Sequence, residues 1–135
     1  LSKFGMVVPR FIEAAINDED ILIHGDGSQS RSFTWVDDVV TYLIKLAELK
    51  AYGEIFNIGQ TEEITIKNLA ELIIEKSNSN SKIIYKSHEE VFGKSFEDPN
   101  RRTPGIEKIV EFTGIKPSKN IEFMVENIIN YKQNN

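Results

Sequence analysis

The residues of this sequence best suited to hold an anion are arginines set in loops. Arg31 follows the run Gly25-Asp26-Gly27, and Arg101-Arg102 stand in a stretch bounded by Pro99 and Pro104. A guanidinium is a planar fork matched to phosphate oxygens, and each charge-assisted hydrogen bond contributes about 1.5–3 kcal/mol. Two converging arginines could therefore hold a diphosphate. The competing reading pairs them on the surface with Asp26, Glu97 or Asp98, where an ion pair is worth roughly 0–1 kcal/mol.

Other candidates are weaker. Gly25-Asp26-Gly27 invites a phosphate-loop reading, because glycine lets backbone N–H groups approach oxyanions. A dinucleotide fingerprint needs G-x-G-x-x-G leading into a helix, whereas position 30 is Ser30 and the segment leads into extended residues, so a hairpin turn is the better reading. His24, at the end of an apolar run, has no acid or nucleophile beside it in sequence. The carboxylate pairs Asp37-Asp38, Glu62-Glu63 and Glu89-Glu90 are adjacent residues that point in different directions, so capping and solvation explain them. No nucleophile elbow, metal-binding helix, calcium loop or P-loop pattern is present, so no catalytic residue and no metal ligand is assigned.

The elements that must position the arginines follow from periodicity. Val8, Phe11, Ile12 and Ala15 recur at the helical period, and Asn17-Asp18-Glu19-Asp20 stops that helix. Ile21-Leu22-Ile23 and Arg31 to Thr34 read as strands on either side of the glycine turn. Phe33 and Trp35 alternate there, so one packs inward while its neighbour faces the loop. Val36, Val39, Val40, Leu43 and Ala47 share a face of a second helix, with Asp37 and Asp38 at its positive end. Ile55 to Ile58 reads as a strand ending at Gly59, and Thr65 as the N-cap of a helix through Ile66, Leu69, Ala70 and Ile73.

Ser77 to Ser81 is a loop before a strand from Lys82 to Lys86. Ser87-x-x-Glu90 has capping-box spacing for a short turn, and Ser95 to Gly105 reads as an irregular crossing loop. Ile106, Ile109 and Val110 make a brief helix closed by Gly114. Asn120 opens a last one through Ile121, Met124, Val125, Ile128 and Ile129. The expectation is an α/β subdomain of mixed helices and short strands, without a sheet large enough to stand alone.

Length and charge bound the rest. The 135 residues are near the commonest single-domain size, so residues 1–135 should form one unit. Sixteen Lys plus Arg against twenty-one Asp plus Glu leave a net charge of −5, a poor field for nucleic acid or an anionic membrane. With no cysteine, a disulfide scaffold and a thiolate site are excluded, and a reducing, cytoplasmic setting is expected. No apolar run approaches the roughly 18–20 residues of a membrane span. Leu1 opens directly onto helical patterning, as expected of a piece of a longer polypeptide.

Taken in order, these segments resemble a known family. The run from Ile21 to Val40, ILIHGDGSQSRSFTWVDDVV, is similar to the L-x-V-Y-G-D-G-x-Q-x-R-x-F-x-Y-V-x-D block of the extended short-chain dehydrogenases that act on nucleotide sugars. Those include UDP-glucose 4-epimerases, dTDP-glucose 4,6-dehydratases and UDP-glucuronate decarboxylases. Phe56-Asn57-Ile58-Gly59 with Ile64-Thr65-Ile66 resembles F-N-I-G … x-T-I. Glu97 to Ile106, EDPNRRTPGI, resembles D-P-x-R-R-x-P-D-I, and Gly114-Ile115-Lys116-Pro117 stands in place of G-W-x-P. His24 for Tyr, Gly105 for Asp and Ile115 for an aromatic are the departures, and the first bears on which base is bound.

The resemblance implies that residues 1–135 are the C-terminal substrate-binding part of a Rossmann-type enzyme, whose N-terminal domain holds NAD and the catalytic Tyr, Lys and Ser or Thr. Four residues after Tyr42, Tyr52, Tyr85 and Tyr131 stand Leu46, Phe56, Glu89 and Asn135, so no Tyr-x-x-x-Lys pair is present. This chain alone is expected to bind no cofactor and to catalyse nothing. Its implied ligand is a nucleotide-diphosphate sugar. Arg31 would contact the diphosphate, Arg102 or else Arg101 would be the second phosphate or ribose contact, and Ile21, Ile23 and His24 would line the base. Glu97 or Asp98 would accept from ribose hydroxyls. The leading expectation is an epimerase, with dehydratase or decarboxylase as alternatives and a non-catalytic nucleotide-binding module as the rival class. A fragment separated from the Rossmann domain would expose apolar surface and could self-associate.

Overall fold

The computed structural model describes residues 6–87 and 99–134. In chain order these form α1 (Val7–Ile16), β1 (Ile21–His24), β2 (Ser30–Ser32), α2 (Val36–Glu48), β3 (Glu63–Thr65), α3 (Ile66–Ser77), β4 (Ile83–Lys86), β5 (Arg101–Arg102), α4 (Glu107–Thr113) and α5 (Ile121–Gln133). The expected mixture of helices and very short strands is therefore what forms. The capping-box segment from Ser87 to Glu90 extends outside the described residues, as do Glu97 and Asp98.

The helices begin and end where local chemistry directs. Thr65 Oγ1 accepts from the Asn68 N–H at 3.1 Å and opens α3, and Asn120 Oδ1 accepts from the Phe123 N–H at 3.0 Å and opens α5. Gly114, at φ 72°, closes α4, and its N–H donates to the Val110 carbonyl at 2.8 Å. Their periodic faces meet in the main core, where Phe11 and Ile12 of α1, Leu69 and Ile73 of α3 and Val125 of α5 surround Ile21 and Ile23 of β1. Lys76 of α3 reaches both Glu122 and, at 2.8 Å, Glu126 of α5. Hydrogen bonds to Glu122 and then Glu126 hold its ammonium well above the ordinary lysine range.

A second, smaller core gathers Tyr42, Ile106 and Ile109, with Leu46, Phe56, Ile58, Val110 and Ile115 packed around them. Tyr42 is fully buried and its hydroxyl donates to the Ile115 carbonyl at 3.0 Å. Burial, and then the nearby Asp38 charge, push its phenol up.

Several expectations need correction. The glycine turn does not close a hairpin: β1 pairs in parallel with β4, Ile21 opposite Ile83, whereas β2 belongs to a separate sheet of order β3-β2-β5. Residues 55–58 form no strand. They are held instead by side chains, Lys108 Nζ donating to the Ile55 carbonyl at 2.9 Å and Asn57 Nδ2 to the Gly105 carbonyl at 3.2 Å. The apolar stripe of α2 covers no core of this chain along most of its length, with Val36 61%, Val40 45% and Leu43 55% exposed, while Asp38 and Tyr42 turn inward.

Asp38 was expected to cap and be solvated. It is buried and accepts from Ser118 Oγ at 2.7 Å, Ser118 N–H at 3.1 Å and Lys119 N–H at 3.3 Å, joining α2 to the loop before α5. Among the described residues no helix is long and apolar enough to cross a membrane, and no cluster of side chains could hold a metal ion.

Asp38→Ala leaves two loop N–H groups without their acceptor and should lower stability by about 1–3 kcal/mol in denaturant unfolding, against less than about 0.5 kcal/mol for the exposed Asp37→Ala. The Lys76 contact has the opposite pH behaviour to a carboxylate's. Because the folded value lies above the unfolded one, its contribution is complete at neutral pH and is lost as pH rises through the folded value. Lys76→Met should accordingly melt below the parent at pH 7, with a gap that narrows in alkaline solution.

Candidate functional site

The β3-β2-β5 sheet decides where the arginines stand. β2 pairs antiparallel with β3, placing Ser30, Arg31 and Ser32 opposite Thr65, Ile64 and Glu63. It pairs in parallel with β5, placing Ser30 opposite Arg101 and Arg31 opposite Arg102. Side chains opposite one another in a ladder share a face, and neighbours along a strand alternate. Arg31, Ile64 and Arg102 thus form one row, and Arg101 lies on the other face with Ser30 and Glu63.

The two faces differ electrostatically. Arg101 Nε donates to both oxygens of Glu63, at 2.9 and 3.0 Å, and Ser30 Oγ donates to Oε1 at 3.2 Å. Thr103 Oγ1 makes a further short hydrogen bond to the same oxygen. These bonds, that from Arg101 foremost, hold the Glu63 carboxyl below its ordinary range, and the carboxylate in turn raises Arg101. On the opposite face, Arg31 is half-buried, with Nη1 donating to the Ser30 carbonyl at 2.6 Å, and Arg102 is exposed. Among the described residues Arg102 makes no ion pair. Arg31 and Arg102 are thus like charges at opposite positions of one ladder, an arrangement whose repulsion an anion would lower.

The remaining candidates fall as follows. His24 ends β1 opposite Lys86, and its carbonyl accepts from the buried Gln29 Nε2 at 2.9 Å. Ile21 and Ile23 point into the main core and are fully buried, so their side chains cover no ligand ring; the pleat commits alternate β1 residues inward. The partner expected for Arg101 was Asp26, Glu97 or Asp98, but it is Glu63, from a strand the sequence reading did not anticipate. Its signal was the residue type alone, a carboxylate two positions before the Thr65 cap.

The glycine turn is not an anion cradle. The Gly27 carbonyl accepts from the Lys67 N–H at 3.0 Å and the Gln29 carbonyl from the Ile66 N–H at 3.0 Å, so the turn itself satisfies the N-terminus of α3. Gly27 sits at φ 76°, and a Cβ there would lie 3.1 Å from Lys67 Cβ, which explains glycine at this close approach. Asp26 Oδ1 accepts from Ser28 N–H at 2.9 Å and completes the turn.

Comparison with known proteins agrees with this architecture. A UDP-N-acetyl-alpha-D-glucosaminuronate decarboxylase of Bacillus cytotoxicus is 39% identical over 112 residues, covering 83% of this chain and 35% of its own length. UDP-glucuronic acid decarboxylase 4 of Arabidopsis thaliana is 36% identical over 113 residues, covering 84% of this chain and 24% of its own length. Among solved structures, a UDP-glucuronic acid 4-epimerase from Bacillus cereus, in complex with UDP-glucuronic acid and NAD, matches at a TM-score of 0.82 and 26% identity, over 96% of this chain and 40% of its own. UDP-glucose 4-epimerase of Thermotoga maritima, with UDP-glucose, matches at 0.82 and 25%, over 98% and 41%. The chain spans well under half the length of each of these relatives. The family model described as NAD dependent epimerase/dehydratase family matches residues 2–59, the stretch that carries β1, the glycine turn, Arg31 and α2. In its ordered motifs and its fold the chain is similar to members of the NAD-dependent epimerase/dehydratase family, whose model its residues 2–59 match.

Proposed function

We propose that this chain is the C-terminal, substrate-binding part of a nucleotide-sugar enzyme and that it holds the diphosphate of the substrate between Arg31 and Arg102. The observation that carries the reading is the β2–β5 register, which sets these two cations opposite one another in one row. Two guanidinium-bearing residues at opposite ladder positions suit a diphosphate, whose adjacent phosphoryl groups present several oxygens to planar donors. His24, at the open end of β1, is the base-side candidate. Glu97 or Asp98 is the ribose candidate on the motif resemblance.

The described residues do not fit a dinucleotide of their own. The glycine turn leads from β1 to β2, and the α3 N-terminus is already satisfied by carbonyls. NAD would therefore be held by other residues of the complete polypeptide, along with the groups that act on the sugar. The outward face of α2, with Val36, Val40, Leu43 and Ile44, and the adjoining Ile55, 85% exposed, is where that Rossmann domain would dock. Two relatives at 39% and 36% identity are decarboxylases of UDP-linked uronates, which supports a uronate substrate and decarboxylation, with epimerisation as the second reading. Release of carbon dioxide from UDP-glucuronate distinguishes the two reactions.

In the complete polypeptide that carries this chain, Arg31→Ala should weaken UDP binding by roughly one to two decades in calorimetry, as loss of a charged hydrogen bond does. The remote Lys132→Ala should leave it within about threefold. Unchanged affinity on removing Arg31 would end the diphosphate assignment. Leu43→Asp tests the docking face: it should lower the melting temperature of the complete polypeptide by several degrees, whereas an open surface position would show no change.

A further inference from the structure

The strand that carries Arg102 is the shortest element of the site, and the Glu63 carboxylate ties it to β2. β5 is two residues long. Beside it the backbone offers the Ser30 N–H to the Asn100 carbonyl at 2.8 Å, a small ladder for holding register. Glu63, from β3 on the far side of β2, reaches across to β5. It accepts from Arg101 Nε at 2.9 and 3.0 Å and from Thr103 Oγ1, and on the way from Ser30 Oγ of β2 at 3.2 Å.

The two residues gripped bracket Arg102. With positions 101 and 103 drawn to the Glu63 face, alternation turns position 102 to the other face, opposite Arg31. A slip by one residue would exchange the two arginines between faces. We infer that Glu63 is the positioning residue of the diphosphate site: by tying β5 to β2 it sets Arg102 opposite Arg31 and keeps Arg101 out of the ligand's row. This rests on the reading of Arg31 and Arg102 as the diphosphate contacts. It assigns a role to a residue that lies on the face away from Arg31 and Arg102 and that the arginine motifs do not include.

The inference makes a prediction of sign. Glu63 is an anion close to an anion-binding site, so by charge alone Glu63→Gln would tighten diphosphate binding. If Glu63 acts by placing Arg102, the same substitution weakens it. UDP affinity would be measured by calorimetry in the complete polypeptide for the parent, Arg31→Ala, Arg102→Ala, Glu63→Gln, Thr103→Val and the combination of Glu63→Gln with Arg102→Ala. Thr103→Val removes one of the ties without changing charge, and supplies the test if Glu63→Gln does not fold.

The expected result is a loss of about fivefold or more for Glu63→Gln and a smaller loss for Thr103→Val. Arg102→Ala should cost about tenfold in the parent but less than about threefold once Glu63 is replaced, because a misplaced arginine has little left to lose. A merely structural role would leave the two substitutions additive. Additive losses, tighter binding on Glu63→Gln, or an unchanged Thr103→Val alongside a folded but unaffected Glu63→Gln would overturn the inference while the site reading stands. Full affinity in both Arg31→Ala and Arg102→Ala would overturn the site reading itself, and the role of Glu63 with it.

Discussion

Ser30 to Ser32 bond on both edges to segments distant in sequence, and the candidate site depends on that double pairing. On one side β3 leads directly into α3, whose inner face belongs to the main core. On the other, β5 brings Arg101 and Arg102 alongside. Three residues thus join a well-packed helical core to a short, exposed strand bearing the charges. The sheet contributes little apolar burial of its own, so its order comes from hydrogen bonds and from the Glu63 carboxylate between its members.

The molecule is apolar on two sides for different reasons. Its main core is ordinary: periodic faces of α1, α3 and α5 close over β1, and the residues fully buried there are aliphatic or aromatic. The α2 region is inverted. This helix anchors itself through polar atoms, Asp38 to the 118–119 backbone and Tyr42 to Ile115, and presents branched aliphatic residues outward. A helix that buries Asp38 and Tyr42 while Val36, Val40, Leu43 and Ile44 stay exposed is suited to lie between two bodies. Segment 54–60 is likewise tied down by side chains instead of by a ladder, with Lys108 Nζ, Asn57 Nδ2 and Gln60 Nε2 donating to the Ile55, Gly105 and Lys119 carbonyls.

Several features were legible because they are local. Thr65 and Asn120 as caps, Gly114 as a helix end and the aliphatic periodicity of α3 and α5 depend on residues within a turn or two of one another. The candidacy of Arg31 and Arg102 as anion contacts was legible as well, since a guanidinium has the same donors wherever it stands. The orientation of α2 was not. Its apolar stripe has the same period whether it faces a core of this chain or another surface, and only Asp38 and Tyr42, each with a partner more than 70 residues away, break the tie.

The sequence by itself determined which segments become helices, where most of them start, and which cations are available for a diphosphate. Tertiary structure decided which strands pair. The glycine turn joins two different sheets, β3 exists because β2 lies beside it, and Glu63, read along the chain as one of two solvated carboxylates, becomes the partner of Arg101. The reason is physical. Helix hydrogen bonds and caps close within a few residues, whereas a strand's donors and acceptors are satisfied by whichever segment the rest of the fold brings alongside, and a shift of one residue changes every side chain's face.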